Sequence, residues 1–480
     1  MAVMETIGII LISVTVLVTI IALMIEGVDT TKITVTGASV VMILFFFFTD
    51  WHKLLLENTS HEYVPESYLE AIAEMINVEA ILIIFSVSVI VSLTKEAGFF
   101  DFVSLSIVKL TKGDPKKLII ALGGLTFFIS MFFDNLSAII LLGSLTVVIC
   151  KQLDLNPIPF VLFVGVNTII GGLPTPVSSL PNIIFYSLYE GDMTFIKFTG
   201  LMFPIALLFF FLSSLYFFFV FKKDIFIKIP EEKQKQIARI NPWSGIDERS
   251  QVYKSIGLLV VLFTGFLLSS VIGLDVATIA LVVAVFGLFL FNKQLKKFIH
   301  SGIEWEMIVF FVALFVLMGV LAGSGALQPI ANLFISIFNL NISPKSAQIL
   351  VALIIGLIGL PITGFLNGSS AALIFSYIFT TMVASISTTI GKGTWIAFVL
   401  GGNIGGALTP LGSITILMAL EILNREGYKI TFMDYVKKTL PLTLTFALLS
   451  IGYSIILILL GLSLIHISEP TRPLYISYAV

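Results

Sequence analysis

The sequence predicts an all-α polytopic membrane protein: an inverted-topology repeat with about ten spans, two re-entrant hairpins and two unwound helices. Three observations carry this. Apolar residues make up 58% of the 480 and charged ones only 12%, about half the ~25% of a soluble domain. Apolar runs of about 20 residues, the length that crosses a bilayer as a helix, recur along the whole chain. Two long stretches also repeat one order of glycines, prolines and small polar residues. Mean hydropathy is +1.08. This composition excludes a water-soluble, disordered or disulfide-stapled chain. A single cysteine, Cys150, excludes an internal disulfide and any multi-cysteine metal site. Four histidines and a net charge of −2 leave little for acid–base chemistry and no footprint for nucleic acid. No cofactor is expected.

Full spans are expected at 5–25, 33–49, 77–94, 158–188, 194–221, 255–272, 275–291, 304–322, 394–422 and 440–461. The segments 158–188 and 394–422 are too long and too rich in glycine and proline for one smooth helix. Two further apolar blocks, 117–150 and 346–388, are interrupted near their middles. Residues 1–4 carry no basic n-region, so 5–25 reads as a span and not as a cleavable signal peptide. Leu462 to Arg472 (LSLIHISEPTR) resembles one reading frame of a sequencing adaptor. Pro473 to Tyr475 would cover its barcode and Ile476 to Val480 its far end. Residues 462–480 are therefore set aside as an expected artefact, and His466 and Arg472 carry no weight.

Lys and Arg accumulate in cytoplasmic loops, which orients the chain. Of the 26 before residue 462, 22 fall on one face: Lys32, five in 94–117, Lys151, eight in 222–254, three in 293–300 and four in 423–438. The other face has only Lys53, Lys197, Lys345 and Lys392, and its 50–79 segment holds seven acidic residues. The 22-residue face is expected to be cytoplasmic, with both termini outside, in a multi-pass arrangement in the cell's inner membrane. The 117–150 block carries Lys116 and Lys117 at one end and Lys151 at the other. It must enter and leave by one face, as a re-entrant hairpin with arms of ~24 Å and its tip at Asp134–Asn135. By the same count 346–388 enters and leaves from outside, with its tip near Asn367-Gly368-Ser369-Ser370.

The halves match at a near-constant offset. Glu79 and Glu306, then Gly98 and Gly325, lie 227 apart. The tips Asp134-Asn135-Leu136-Ser137-Ala138 and Asn367-Gly368-Ser369-Ser370-Ala371 lie 233 apart. Ile170-Gly171-Gly172-Leu173-Pro174-Thr175-Pro176 faces Ile404-Gly405-Gly406-Ala407-Leu408-Thr409-Pro410 at 234, and Ser179 and Ser413 keep that offset. The first copy starts from outside and the second from inside, the construction of many secondary transporters. The chain then divides into 1–76, a two-span segment; 77–221, repeat 1; 222–254, a cytoplasmic linker; 255–303, a second two-span segment; and 304–461, repeat 2.

Broken helices inside a bilayer expose backbone groups, tolerated where they line a site. Pro174, Pro176 and Pro410 cannot donate the helical bond, and the pairs Gly171-Gly172 and Gly405-Gly406 let the chain unwind. Each break presents helix-end dipoles, and the hairpin tips present them from the opposite direction. Asn135, Ser137, Thr175, Ser178, Ser179 and Asn182 are expected to meet Asn367, Ser369, Ser370, Asn403, Thr409 and Ser413 near the midplane. This is an ion- or substrate-binding constellation without a basic side chain. Any one of these side chains can instead serve ordinary interhelical hydrogen bonding. Asp134, the one carboxylate placed deep in the membrane, is a candidate for binding a cation or carrying a coupling proton; it also suits an N-cap. Glu79, Glu304 and Glu306 are expected at interfaces, Trp305 and Trp395 in an aromatic belt, and Cys150 as a small buried hydrophobe. Asn58-Thr59-Ser60 is a glycosylation sequon by pattern. No enzyme motif is present.

SMFFDNLSAIILL (130–142), LNPIPFVLFVGVNTIIGGLPTPVSSLPNIIF (155–185), IEWEMIVFFVALFVLMGVLAGSGAL (303–327) and GGNIGGALTPLGSITILM (401–418) resemble the arsenite-pump/NhaD-type antiporter branch (ArsB/NhaD, citrate-transporter-like) of the ion transporter superfamily. The resemblance covers about 5–461. It implies a scaffold, a moving region holding both hairpins, elevator-like alternating access, and a homodimer. Asp134 and Asn135 match the family's DN motif and Asn182 its PN. Two departures stand out: Ser178-Ser179-Leu180-Pro181-Asn182 lacks the acid of the common Gly-Asp-Pro-Pro-Asn stretch, and the NGSS tip lacks a carboxylate. The expectation is a secondary active transporter driven by H⁺ or Na⁺, by cation/proton antiport or arsenite-type efflux. Its partners are then a small inorganic ion or small anion and the lipid bilayer. A citrate or dicarboxylate transporter is the rival, and a non-transporting receptor or structural protein the alternative of another class.

Overall fold

The computed structural model describes residues 2–23, 25, 28–58, 65–187, 193–227, 230, 239, 241–244, 246, 248–291, 303, 305–386 and 390–461. These residues are all-helical, without a strand among them. In chain order the helices are α1 Ala2–Leu23, α2 Thr30–Phe48, α3 Trp51–Asn58, α4 Tyr68–Met75, α5 Val78–Glu96, α6 Phe99–Thr111, α7 Pro115–Ser130, α8 Asn135–Gln152, α9 Pro157–Gly171, α10 Leu180–Ser187, α11 Phe195–Val220, α12 Lys222–Ile225, α13 Arg249–Ile272, α14 Val276–Leu290, α15 Trp305–Gly323, α16 Gln328–Phe338, α17 Pro344–Phe365, α18 Gly368–Ser385, α19 Lys392–Ile404, α20 Ile414–Arg425 and α21 Phe432–Leu459. Two 3₁₀ turns, Gly405–Ala407 and Pro410–Gly412, sit between α19 and α20.

Ten described helices (α1, α2, α5, α8, α11, α13, α15, α17, α18 and α21) are long and apolar enough to cross a membrane. The number equals the expected one, but the membership differs. Three hairpin arms, α8, α17 and α18, qualify. The expected spans 158–188 and 394–422 do not, because each is two shorter helices around a break. Nor does α14, with 15 residues. Helix ends also run past the apolar cores. α13 starts at Arg249 and not at 255, and α21 at Phe432 and not at 440, because hydropathy marks only the lipid-length part of a helix. At α21 the extra turns are opened by a cap, with Thr431 Oγ1 accepting from the Asp434 amide at 3.2 Å. The 50–79 segment, where no span was expected before 77, contains two short helices, α3 and α4; Ser67 caps the second by accepting from the Glu70 amide. Trp395 is not a belt residue. It is fully buried, edge-on to Phe198 with centroids 5.6 Å apart. Thr59, Ser60, Glu304, the 293–300 cluster, most of 228–247 and residues 462–480 lie outside the described residues.

Two modules position the centre of the molecule. In the first, α7 runs beside α9, turns back at Asp134 and returns as α8. Gly123 faces the Phe163 ring, and a Cβ on Gly171 would lie 2.5 Å from the Phe127 carbonyl oxygen. In the second, α17 runs beside α19, turns at Asn367 and returns as α18. A Cβ on Gly359 would meet the Gly401 Cα at 2.9 Å, and one on Gly405 the Leu360 carbonyl at 2.4 Å. Only glycine permits such backbone contact. Each hairpin therefore turns at the level where its neighbouring helix breaks.

The modules point in opposite directions. Lys151 at the end of α8 pairs with Glu426 beyond the end of α20, and Asn156 at the start of α9 donates to Asp224 at 2.9 Å. At the other end, Gln348 near the start of α17 accepts from the Gly391 amide at 2.9 Å. Phe185 of α10, Phe379 of α18 and Phe398 of α19 cluster there. So α9–α10 runs away from the Lys151 end while α19–α20 runs toward it, and the two hairpins open to opposite ends.

Overpacking a close backbone approach costs about 1–3 kcal/mol. Gly171→Ala and Gly405→Ala are expected to lower the unfolding temperature in detergent clearly. Gly200→Ala and Gly257→Ala, whose new Cβ atoms would meet nothing within 4 Å, are expected to leave it unchanged or raise it.

Candidate functional site

A cavity of about 680 Å³ lies where the two tips and two breaks converge. Of the expected site residues, Asp134, Asn135, Ser178, Ser179, Asn367, Ser369, Asn403 and Ser413 line it, as does the helix-break residue Gly406. Ser137, Thr175, Asn182, Ser370 and Thr409 do not; they sit behind the lining, buried.

Three of those placed behind, Thr175, Asn182 and Thr409, brace the breaks. The Thr175 hydroxyl donates to the Met131 carbonyl at the first tip. The Thr409 hydroxyl donates to the Gly364 carbonyl at the second, and its oxygen accepts from the Gly412 amide at 3.2 Å. The Asn182 amide nitrogen spans the carbonyls of Gly172, Leu173 and Thr175 at 2.9, 3.0 and 2.8 Å, and Ser178 donates to Gly172 at 2.6 Å. These three carbonyls of the first break are thus paired within the protein, as an apolar setting requires. The two broken helices cross at one polar contact: Asn403 Nδ2 donates to Asn182 Oδ1 at 3.0 Å and Ser179 Oγ to Asn403 Oδ1 at 3.2 Å. Pro174, Pro176 and Pro410 are buried in the breaks, and a Cβ on Gly172 would collide with the Asn135 side chain at 2.7 Å.

The tips are alike in form and unlike in charge. Asp134 caps α8, its Oδ1 accepting from the Ser137 amide at 2.9 Å; Ser137 contributes that amide. Asn367 caps α18 by accepting from the Ser369 amide at 3.1 Å, from a left-handed backbone with φ 56°, a strained conformation of the kind that gathers at functional sites. Asp134 Oδ2 and Asn135 Oδ1 are buried and have no hydrogen-bond partner. Buried acceptors are normally paired, so these two unpaired oxygens, one of them on a carboxylate, set Asp134 and Asn135 apart from the braced residues behind them. Among the described residues no cluster of three His, Cys, Asp or Glu exists to hold a resident metal. Four helix starts face the cavity, at Asn135, Leu180, Gly368 and Ile414.

The remaining wall was not expected. Ile84 and Val87 of α5 and Met307, Phe310 and Phe311 of α15 form it, with Thr30, Thr31, Trp305 and Glu306 at the starts of α2 and α15. Glu306 and Trp305 are exposed, as interfacial residues would be, yet they border the cavity. Among the described lining residues none is basic.

The profile of the citrate transporter family, CitMHS, matches residues 1–401. The chain is 26% identical over 386 residues to an uncharacterized transporter of Mycobacterium tuberculosis, covering 78% of this chain and 85% of that one. It is 22% identical over 450 residues to the P protein of Homo sapiens, covering 78% and 53%. Its fold is similar to that of the YdaH transporter of Alcanivorax borkumensis, with a TM-score of 0.57 at 14% identity, covering 88% of this chain and 98% of that one.

Thr175→Val and Thr409→Val each leave a buried carbonyl without its donor, at a cost of about 1–3 kcal/mol. Each variant is expected to unfold at a lower temperature than wild type in detergent, whereas Thr15→Val, on the exposed face of α1, is expected not to.

Proposed function

The chain belongs to the citrate transporter family of membrane transporters, and we propose that it is a secondary active transporter coupled to H⁺ or Na⁺ through Asp134 and Asn135, carrying an organic carboxylate. The unpaired Asp134 Oδ2 and Asn135 Oδ1 at the cavity carry this reading. A carboxylate with one oxygen left unpaired, set among apolar helices, is most stable when a proton or cation occupies it. The solute then occupies the rest of the cavity, which is larger than a bare ion needs. Three of the helix starts there are flanked by the neutral residues Ser179, Asn367 and Ser413, and their dipoles favour an anion.

Two antiparallel modules around one cavity support alternating access by an inverted-topology repeat. The Lys151 end is the cytoplasmic one in this reading, since the basic residues gather there. The 222–254 segment is then a cytoplasmic linker, and the protein sits in the inner membrane as a homodimer. Cation/proton antiport or arsenite-type efflux, as in the ArsB/NhaD branch, is the second reading. It is favoured by the resemblance of 401–418 and needs only the Asp134 end of the cavity.

The test uses purified protein in liposomes with a pH dye inside, an imposed pH gradient, and Na⁺, Li⁺, arsenite, citrate, succinate and 3-phenylpropionate added in turn. Wild type is expected to couple a carboxylate to the proton or Na⁺ gradient, and Asp134→Asn to lose the coupling. Gradient collapse by Na⁺ or Li⁺ alone supports the second reading. Unaltered coupling in Asp134→Asn contradicts both.

A further inference from the structure

The cavity has two unlike sides. Its deep polar groups all belong to the hairpin tips and breaks, from Asp134 round to Ser413. The facing wall is Ile84, Val87, Met307, Phe310 and Phe311. Among the described residues, the polar ones on that side, Thr30, Thr31 and Glu306, stand at the helix starts that rim it. A pocket of a few hundred Å³ with an apolar body and a few convergent polar groups suits a drug-sized organic molecule. A tricarboxylate suits it badly, because charges turned toward the α5–α15 wall would lose water and gain no donor.

Resting on the carboxylate reading above, we propose that the solute is an amphipathic monocarboxylate. Its one carboxylate lies at the neutral-flanked starts of α10, α18 and α20, and its aromatic or branched apolar body lies on the α5–α15 wall. A cation or proton at Asp134 removes the one repulsive charge near the head group. Glu306, the other carboxylate among the described lining residues, is exposed at the start of α15. Two consequences follow from the chemistry. A second carboxylate on the solute weakens binding, and so does exchange of the head group for an amine.

Trp305 borders the cavity, so its fluorescence reports occupancy. Full-length protein in nanodiscs, in NaCl, is titrated with 3-phenylpropionate, its neutral amide, phenethylamine and citrate. Trp305→Phe serves as the blank. Saturable change with 3-phenylpropionate, and weaker or absent change with the other three, is the expected result. Phe311→Ser is expected to weaken 3-phenylpropionate about tenfold, the scale of losing one apolar contact surface, and Phe311→Leu to restore most of it. Preference for citrate or for the amine overturns the inference, as does equal binding to Phe311→Ser or no binding by any probe. The same samples are assayed for coupling in liposomes with Asp134→Asn. Citrate preference with intact Asp134-dependent coupling removes only the amphipathic solute, whereas loss of that dependence removes the function on which it rests.

Discussion

A helix that stops among apolar neighbours must find partners for the backbone it frees, and that requirement organises this protein. Asn182 answers it at the first break by covering three carbonyls. Its oxygen then takes the Asn403 amide from the other broken helix. Thr175 and Thr409 tie each unwound segment to the adjacent hairpin tip. The glycine contacts between α7 and α9, and between α17 and α19, let the backbones come close enough for those ties. At the cavity edge, Asp134 Oδ2 and Asn135 Oδ1 are left without a partner.

The modules share a frame and differ in charge. Asp134 and Asn367 both cap the returning arm of a hairpin and both line the cavity. One carries an ionisable carboxyl group; the other is a neutral amide. The frame serves geometry, and in the proposed function a single carboxylate placed on it supplies the chemistry.

Much of this was legible in the sequence, for a physical reason. Breaks and tips need Gly, Pro, Asn, Ser and Thr, whose backbone and capping preferences differ from those of a smooth helix. The 233–234 offset therefore marks real corners of the chain. The α5–α15 wall was not legible. Ile84, Val87, Phe310 and Phe311 sit on unbroken helices, where an apolar residue reads the same facing lipid, core or cavity. Nor did residue type separate lining from brace. Ser179 and Thr175 look equivalent in sequence, and only the path of the unwound loop sends one to the cavity and the other to the Met131 carbonyl. Trp395 shows the same limit, since a tryptophan near a helix start can anchor at an interface or, as here, fill the core.

The central claim is that Asp134 and Asn135 hold the coupling cation. Direct cation counting tests it: ²²Na⁺ retention and proton uptake measured on the same purified protein, for wild type, Asp134→Asn and Asn135→Ala. The account predicts one saturable cation, Na⁺ or H⁺, that is lost in Asp134→Asn and weakened in Asn135→Ala. Binding that persists unchanged in Asp134→Asn would contradict it and leave that side chain only the cap of α8.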